Sequence, residues 1–263
     1  MFTSHFKMTA QPFLERAPVE QILTDERITQ GLARLEYFAR SGSIALVTGL
    51  TGVGKSSLVK LFLRSLSRNL YDPIYLSLTY VGASGILKLL VSSLGEQPRR
   101  GKERLFLQIL ERVQANDHTT LLVIDESHLL PSESLTDLRL LVSSGLEDGP
   151  PLKILLSGQE TLRKELTRGR HADLTHRISV RYHVPPLTKE QTVEYIDFQM
   201  RTAGGSQKAF EPEAKSLIHD YSSGVPRRIN NIATACLIQA ATLNVQKISE
   251  ALVNDTAPEF HLP

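Results

Sequence analysis

The sequence predicts an α/β fold, a parallel sheet sandwiched by helices and followed by a small all-helical domain. Three observations predict it. Short apolar runs alternate with segments of helical period through the first two thirds of the chain. A glycine-rich stretch, GLTGVGKSS (Gly49–Ser57), joins one apolar run to a helical pattern. Beyond the Pro185-Pro186 pair, from Thr188 on, helical periodicity alone remains. With 263 residues, 41% hydrophobic and 22% charged, the chain has the composition of an ordinary globular protein with room for one full domain and a smaller one. The boundaries fall at residues 1–26 for an N-terminal segment, 27–186 for the sheet domain and 187–263 for the helical domain.

Each element has its own signal. ITQGLARLEYFA (28–39) spaces its apolar residues as a helix does, and SIALVT before Gly49 is the short apolar run of a strand buried on both faces. SSLVKLFLRSL after the glycine loop is amphipathic, with Lys60 and Arg64 on its polar side. DPIYLSLTY reads as a strand, SGILKLLVSSLG and RLFLQILERVQA as helices, and TTLLVIDE as a second fully buried strand. A polar SHLLPSESLTD precedes a helix through LRLLVSSGL; LKILLS and SVRYHV give the last two strands. The helical domain holds KEQTVEYIDFQMRTAG, EPEAKSLIHDYSSG and PRRINNIATACLIQAATL. Gly204 and Gly224 stand where C-terminal caps stop helices, and Pro212 and Pro226 stand in first turns, where a missing N–H costs little.

Several classes drop out. No apolar run approaches the ~20 residues of a spanning helix. The opening MFTSHFKMTAQPF lacks the basic and apolar regions of a secretory signal. The lone Cys236 lies in an apolar helical pattern and reads as a reduced, buried thiol. A cytoplasmic location without membrane contact is expected. The net charge of +2 and pI near 8.6 permit a nucleic-acid partner without requiring one.

GLTGVGKSS fits G-x-x-x-x-G-K-[ST], and the strand before it and helix after it are the context that pattern needs. Backbone N–H groups of Gly49, Thr51, Gly52, Val53, Gly54 and Ser57, with the positive end of the helix, converge where a polyphosphate binds. Lys55 reaches the β/γ-phosphates and the Ser56 hydroxyl ligates Mg²⁺. In LLVIDESHLL, a hydrophobic strand delivers two carboxylates at its end, a costly placement unless they meet a cation or a polar site. Asp125 is expected to hold Mg²⁺ through its water shell and Glu126 to polarise the attacking water. His128 reads as a supporting or packing residue. The chemistry indicated is phosphoryl transfer to water.

The ordered set GLTGVGKSS, LLVIDESH, KILLSGQETL, LTHRISVRYHVPPLT and SSGVPRRINNI resembles AAA+ ATPases of the ExeA-like group, related to the transposition ATPases TnsC, TniB and MuB. The resemblance covers nearly the whole chain and implies a P-loop AAA+ domain with a helical lid, hydrolysing ATP with Mg²⁺ to ADP and phosphate. It implies that Ser157 or Gln159 is the sensor of the γ-phosphate or its water, Arg177 an arginine finger toward a neighbouring subunit, and Arg227 a second sensor. The family often has proline where this chain has Glu160, which leaves the choice between Ser157 and Gln159 open. Phe13, in TAQPFLERAP, lies near the adenine by the resemblance; read from the residues alone it staples its segment to the core, and the two are compatible. Arg163, Arg168, Arg170, Arg177 and Arg181 otherwise read as a solvated basic stretch. Arg227 and Arg228 occupy a first helical turn, where a cation is disfavoured unless an anion is near.

Two uses of the ATP energy follow from the resemblance. In the first, a homo-oligomeric ring or helical filament assembles on double-stranded DNA and delivers it to a transposase, with a target-selection protein as a further partner. Arg99, Arg100, Lys102 and Arg104 in EQPRRGKER are the candidate phosphate-backbone contacts. The second is an ExeA-like secretion-pathway assembly ATPase at the cell envelope. That type continues into a membrane span and a wall-binding domain, whereas the sequence ends at APEFHLP, which favours the DNA reading as an expectation. A nucleotide switch without turnover is disfavoured by Glu126.

Overall fold

The computed structural model describes residues 1–77, 82, 84–143 and 152–260. In chain order these form α1 (Phe2–His5), α2 (Glu26–Ser41), β1 (Ile44–Thr48), α3 (Lys55–Ser65), β2 (Tyr71–Ser77), α4 (Gly85–Ser93), α5 (Lys102–Gln114) and β3 (Thr119–Asp125). There follow α6 (Ser132–Ser143), β4 (Leu152–Gly158), α7 (Glu160–Leu166), α8 (Ala172–Arg177), β5 (Ile178–His183), α9 (Lys189–Thr202), α10 (Pro212–Ser222), α11 (Pro226–Thr242) and α12 (Glu250–Thr256). The far end of the DPIYLSLTY strand, residues 78–80, and the end of the LRLLVSSGL helix, residues 144–146, lie outside the described residues, as do the terminal 261–263.

The chain divides into two compact units. One comprises residues 28–49 and 58–184, the other residues 1–27, 50–57 and 185–263. The first holds a five-stranded parallel sheet of order β2-β3-β4-β1-β5. All five strands are the expected ones. The all-apolar runs of β1 and β3 are central and buried, as strands covered on both faces must be. β2 and β5 are edges; β5 alternates buried with exposed residues, and β2 holds only half-buried and exposed ones. Ile44, Leu46, Leu122, Ile124, Ile154 and Leu156 pack with Ile86, Leu90 and Ile109 of the covering helices into one core.

The second unit is helical. Ile196, Met200, Phe210, Ile218, Ile229, Ile232 and Leu237 form its core, and Phe6 and Phe13 of the N-terminal segment join it. Thr188 caps α9 with its hydroxyl while Gln191 returns the bond to the Thr188 N–H, a reciprocal pair that starts the helix. The expected stops are present. Gly204 has φ 75° and Gly205 N–H reaches the Met200 carbonyl, closing α9 in a left-handed cap. Gly224, at φ 69°, brings its backbone against the Leu187 carbonyl so closely that a Cβ there collides with it. Pro212 and Pro226 begin α10 and α11. Cys236 is buried in this core, and burial pushes its thiol up to about 12.

Some elements carry no clear sequence signal. α6 begins at Ser132, inside the polar run read as a connection, because Ser134 and Asp137 are buried polar residues that interrupt an apolar face. The short helices α7, α8 and α12 were not expected.

Candidate active site

The glycine loop runs from β1 into α3, as its flanking patterns require. Gly52 (φ 79°) and Gly54 (φ 111°) occupy left-handed backbone that a side chain strains against. Lys55, the first residue of α3, is 5% exposed and donates from Nζ to the Leu50 carbonyl 2.9 Å away. A buried lysine in a glycine loop at the start of a helix fits a polyanionic ligand. Ser56 and Ser57 follow half-buried in the first turn, and Thr51 is exposed. The loop leans on the start of α11: Arg227 N–H donates to the Gly52 carbonyl at 3.2 Å, and a Cβ on Gly52 falls 2.6 Å from Arg227 Cβ. Arg227, placed by resemblance as a sensor, is thus in contact with the loop, with Arg228 exposed beside it.

The acidic pair is built at the end of β3. Asp125 is 3% exposed, and its carboxylate accepts from Ser157 Oγ (2.8 Å) and the Glu126 N–H (3.0 Å) on Oδ1, and from the Tyr75 hydroxyl (2.8 Å) on Oδ2. Such a set of donors orients a buried carboxylate, as a group awaiting a hydrated cation needs to be. Burial, then the charge and hydrogen bond of Asp125, then the charge of Glu126 raise Tyr75 well above the usual tyrosine range, so it remains a donor.

Glu126 has left-handed backbone, φ 54° and ψ 31°, a conformation costing about 1–3 kcal/mol in a residue with a Cβ. Its own N–H on Asp125 and its carbonyl, which accepts from the Leu129 N–H at 2.9 Å, hold it there. Its carboxylate is more than a third exposed and lies 3.3 Å from His128 Nδ1, within ion-pair distance but without hydrogen-bond alignment. Ser157 is fully buried and works in two directions, its hydroxyl donating to Asp125 and its carbonyl accepting from Ser127 Oγ at 2.8 Å. Gly158 beside it lets the Ser127–Leu129 turn approach, since a Cβ there meets His128 N at 3.1 Å.

Of the two sensor candidates, Ser157 has its hydroxyl engaged by Asp125, whereas Gln159, half-buried at the start of α7, makes no side-chain hydrogen bond among the described residues. Glu160, the departure from the family pattern, places its carboxylate 2.8 Å from His183 Nδ1. Arg177 ends α8 directly before β5, exposed and without a carboxylate partner among the described residues. The rest of the basic stretch is partly committed: Arg168 and Arg170 pair with Glu165, and Arg181 donates to the Thr175 carbonyl. Phe13 is 4% exposed, with its ring edge-on to Phe210 at 6.1 Å, which is the stapling placement. Arg99, Arg100 and Arg104 are exposed, and Lys102 forms an ion pair with the buried Asp137 at 2.8 Å.

Sequence reasoning missed Tyr75 and Ser127. Tyr75 lies in no motif, and Ser127, inside LLVIDESH, carries no chemical signal of its own there; each matters through a cross-strand or cross-loop contact. The signal for Tyr75 is a polar-tipped aromatic late in a strand that pairs with the acid-bearing one.

Residues 39–166 match the family model described as AAA domain. Among curated proteins the chain is similar to the General secretion pathway protein A of Aeromonas hydrophila, 30% identical over 260 residues. The match takes in 94% of this chain and 46% of that protein, so the chain spans about half the length of the curated relative it matches. Among solved structures it resembles the ORC1 protein of Aeropyrum pernix in complex with DNA (TM-score 0.71, 17% identity, 94% of this chain and 68% of that one). It also resembles Cdc6p of Pyrobaculum aerophilum (0.70, 17%, 98% and 70%) and the RuvB branch migration motor of Thermotoga maritima (0.62, 17%, 95% and 74%). Residues 39–166 are thus similar to an AAA domain, and the chain shares with these solved structures an α/β fold, a five-stranded parallel sheet followed by a C-terminal helical part.

Proposed function

We propose that the chain is a Mg²⁺-dependent ATPase, hydrolysing ATP to ADP and phosphate, whose cycle drives an assembly step in a secretion pathway. The observation that carries the ATPase is the combination in one chain of a buried lysine in a glycine loop and two adjacent carboxylates of different surroundings, Asp125 sealed among donors and Glu126 open to water. Lys55 and the loop N–H groups take the β/γ-phosphates, and Ser56 and Asp125 hold the metal, Asp125 through water. Glu126 orients the attacking water, and Gln159 and Arg227 contact the phosphate end. When bound, Mg²⁺ would supply neutralisation of the charge on the transferred phosphoryl group.

The secretion reading comes before the transposition reading because the curated relative is a secretion-pathway protein by name. The transposition reading keeps its sequence resemblance and the exposed Arg99, Arg100 and Arg104. Of its four cations, Lys102 is engaged by Asp137. A homo-oligomer is expected in either.

The test pairs two variants. Lys55→Ala is expected to abolish binding of a fluorescent ATP analogue, whereas Glu126→Gln binds it normally and releases phosphate at least ~100-fold more slowly, the span that a positioned proton acceptor supplies. Equal loss of nucleotide affinity in both overturns the division of roles. Fluorescence anisotropy of a labelled duplex decides between the two uses: ATP-dependent, steeply salt-sensitive binding restores the transposition reading.

A further inference from the structure

Tyr75 belongs to no motif and touches no part of the glycine loop in sequence, yet its placement is specific. β2 pairs with β3 in parallel, with Tyr75 opposite Val123 and Ser77 opposite Asp125. Val123 and Asp125 are two apart on one strand and share a sheet face, so Tyr75 and Asp125 are diagonal neighbours on that face, a separation an aromatic side chain spans. The ring lies along the edge strand, 43% of the residue exposed, and the hydroxyl turns inward to Asp125 Oδ2 at 2.8 Å. The Ser157 and Glu126 donors both sit on Oδ1. Donors on both oxygens fix the rotation of the carboxylate about its own bond, and the Tyr75 hydroxyl is a donor on Oδ2.

We propose that Tyr75 is a positioning residue for the divalent cation: its hydroxyl holds Asp125 Oδ2 in the orientation that receives the metal's water shell. The inference rests on the Mg²⁺-ATP reading above. Hydrogen-bond partners of metal-binding carboxylates typically account for about 10–100-fold in metal affinity, through orientation of the group rather than contact with the ion. A tyrosine suits an edge strand here. Its apolar ring covers the strand surface, while a protonated hydroxyl donates without adding charge beside the carboxylate.

The experiment uses the full chain and compares wild type with Tyr75→Phe and Asp125→Asn. Tyr75→Phe removes the hydroxyl and keeps the ring. Mn²⁺ affinity is measured in the presence of ADP from the electron paramagnetic resonance signal of free Mn²⁺, and ADP affinity is measured separately in EDTA. The expected result for Tyr75→Phe is a Mn²⁺ affinity lowered about 10-fold, with metal-free ADP binding unchanged and a loss of stability no larger than that of Ser157→Ala. In turnover, the Mg²⁺ concentration for half-maximal rate rises by a similar factor, while the rate at saturating Mg²⁺ falls less. If Asp125→Asn loses Mn²⁺ affinity and Tyr75→Phe stays within twofold of wild type, the positioning role is wrong and the ATPase reading stands. If Tyr75→Phe loses metal-free ADP binding along with Mn²⁺, Tyr75 is merely structural and the inference fails. If Asp125→Asn leaves Mn²⁺ affinity unchanged, the metal-nucleotide reading itself fails and the inference falls with it.

Discussion

At the scale of single residues, two adjacent carboxylates in one short motif have separate surroundings, and their environments follow from where a strand stops. Asp125 is the last residue of β3 and remains among strand neighbours, so it is ringed by Tyr75 and Ser157. Glu126 is the first residue beyond, turned by left-handed backbone toward solvent. The acidic pair was legible in the sequence because a buried apolar strand that ends in two acids must deliver them to a cation or a polar site. The partners were not legible, since Tyr75 and Ser157 lie 50 and 32 residues away in the chain and become neighbours through strand order. The choice between two sensors, open in the sequence, has a test at this scale. Ser157→Ala removes a buried donor from Asp125 and is expected to lower stability by about 1–3 kcal/mol, as a buried carboxylate losing a partner does. Gln159→Ala, with no hydrogen bond to lose, is expected to leave the denaturation midpoint in place and cut phosphate release. If Gln159→Ala turns over at the wild-type rate, it is not the sensor.

At the scale of elements, the five strands and the long helices were readable because each buries a continuous apolar face, and the hydrophobic period is then the dominant signal. α7 and α8 were not, because their short stretch is dense in Arg, Lys, Glu and His and is held by polar contacts. Glu165 receives Arg168 at 2.8 Å, Arg170 at 2.6 Å and the buried His171 at 3.1 Å, and His171 also meets Ser132 Oγ at 2.8 Å. Partial burial raises the Glu165 pKa, but the Arg170 and His171 hydrogen bonds and the Arg168 and Arg170 charges outweigh it and leave it below the usual carboxylate value. A carboxylate depressed in this way contributes stability above its unfolded pKa of about 4.3 and loses it as pH falls through the folded value. Glu165→Gln is therefore expected to be less stable than wild type above about pH 5, with the gap closing as both are acidified below about pH 4. A gap that persists unchanged in acid denaturation curves counts against the Glu165 hub. In the helical unit, Gly224→Ala combines a positive φ with a backbone collision at Leu187. It is expected to cost about 3 kcal/mol or more in denaturant unfolding, well beyond a surface glycine change.

At the scale of the whole molecule, the helical unit takes up the chain at Pro185, where a proline pair ends β5's extension and no apolar strand pattern follows. The grouping of the loop residues 50–57 with that unit was not legible, since it depends on Arg227 meeting Gly52 across a long stretch of chain. Arg177 raises the question of whether one chain holds a complete site. It is an exposed cation at the end of α8, without a carboxylate partner among the described residues, while Arg168 and Arg170 nearby are neutralised by Glu165. A cation left without a counter-charge in this way contributes little to its own fold and is suited to an anion supplied from outside. Arg177→Ala is therefore expected to leave melting temperature and ATP-analogue affinity close to those of wild type while lowering phosphate release by about 10³-fold, the lower end for an arginine acting on a transferred phosphoryl group. Acting between subunits has its own signature. Specific turnover of wild type then rises with protein concentration, and titrating Arg177→Ala into a fixed amount of wild type depresses the rate below that of wild type alone, because inactive neighbours occupy productive contacts. Wild-type turnover that is independent of dilution, with mixtures whose rate is the simple sum of their parts, would place the site wholly within one chain and leave Arg177 a solvated charge.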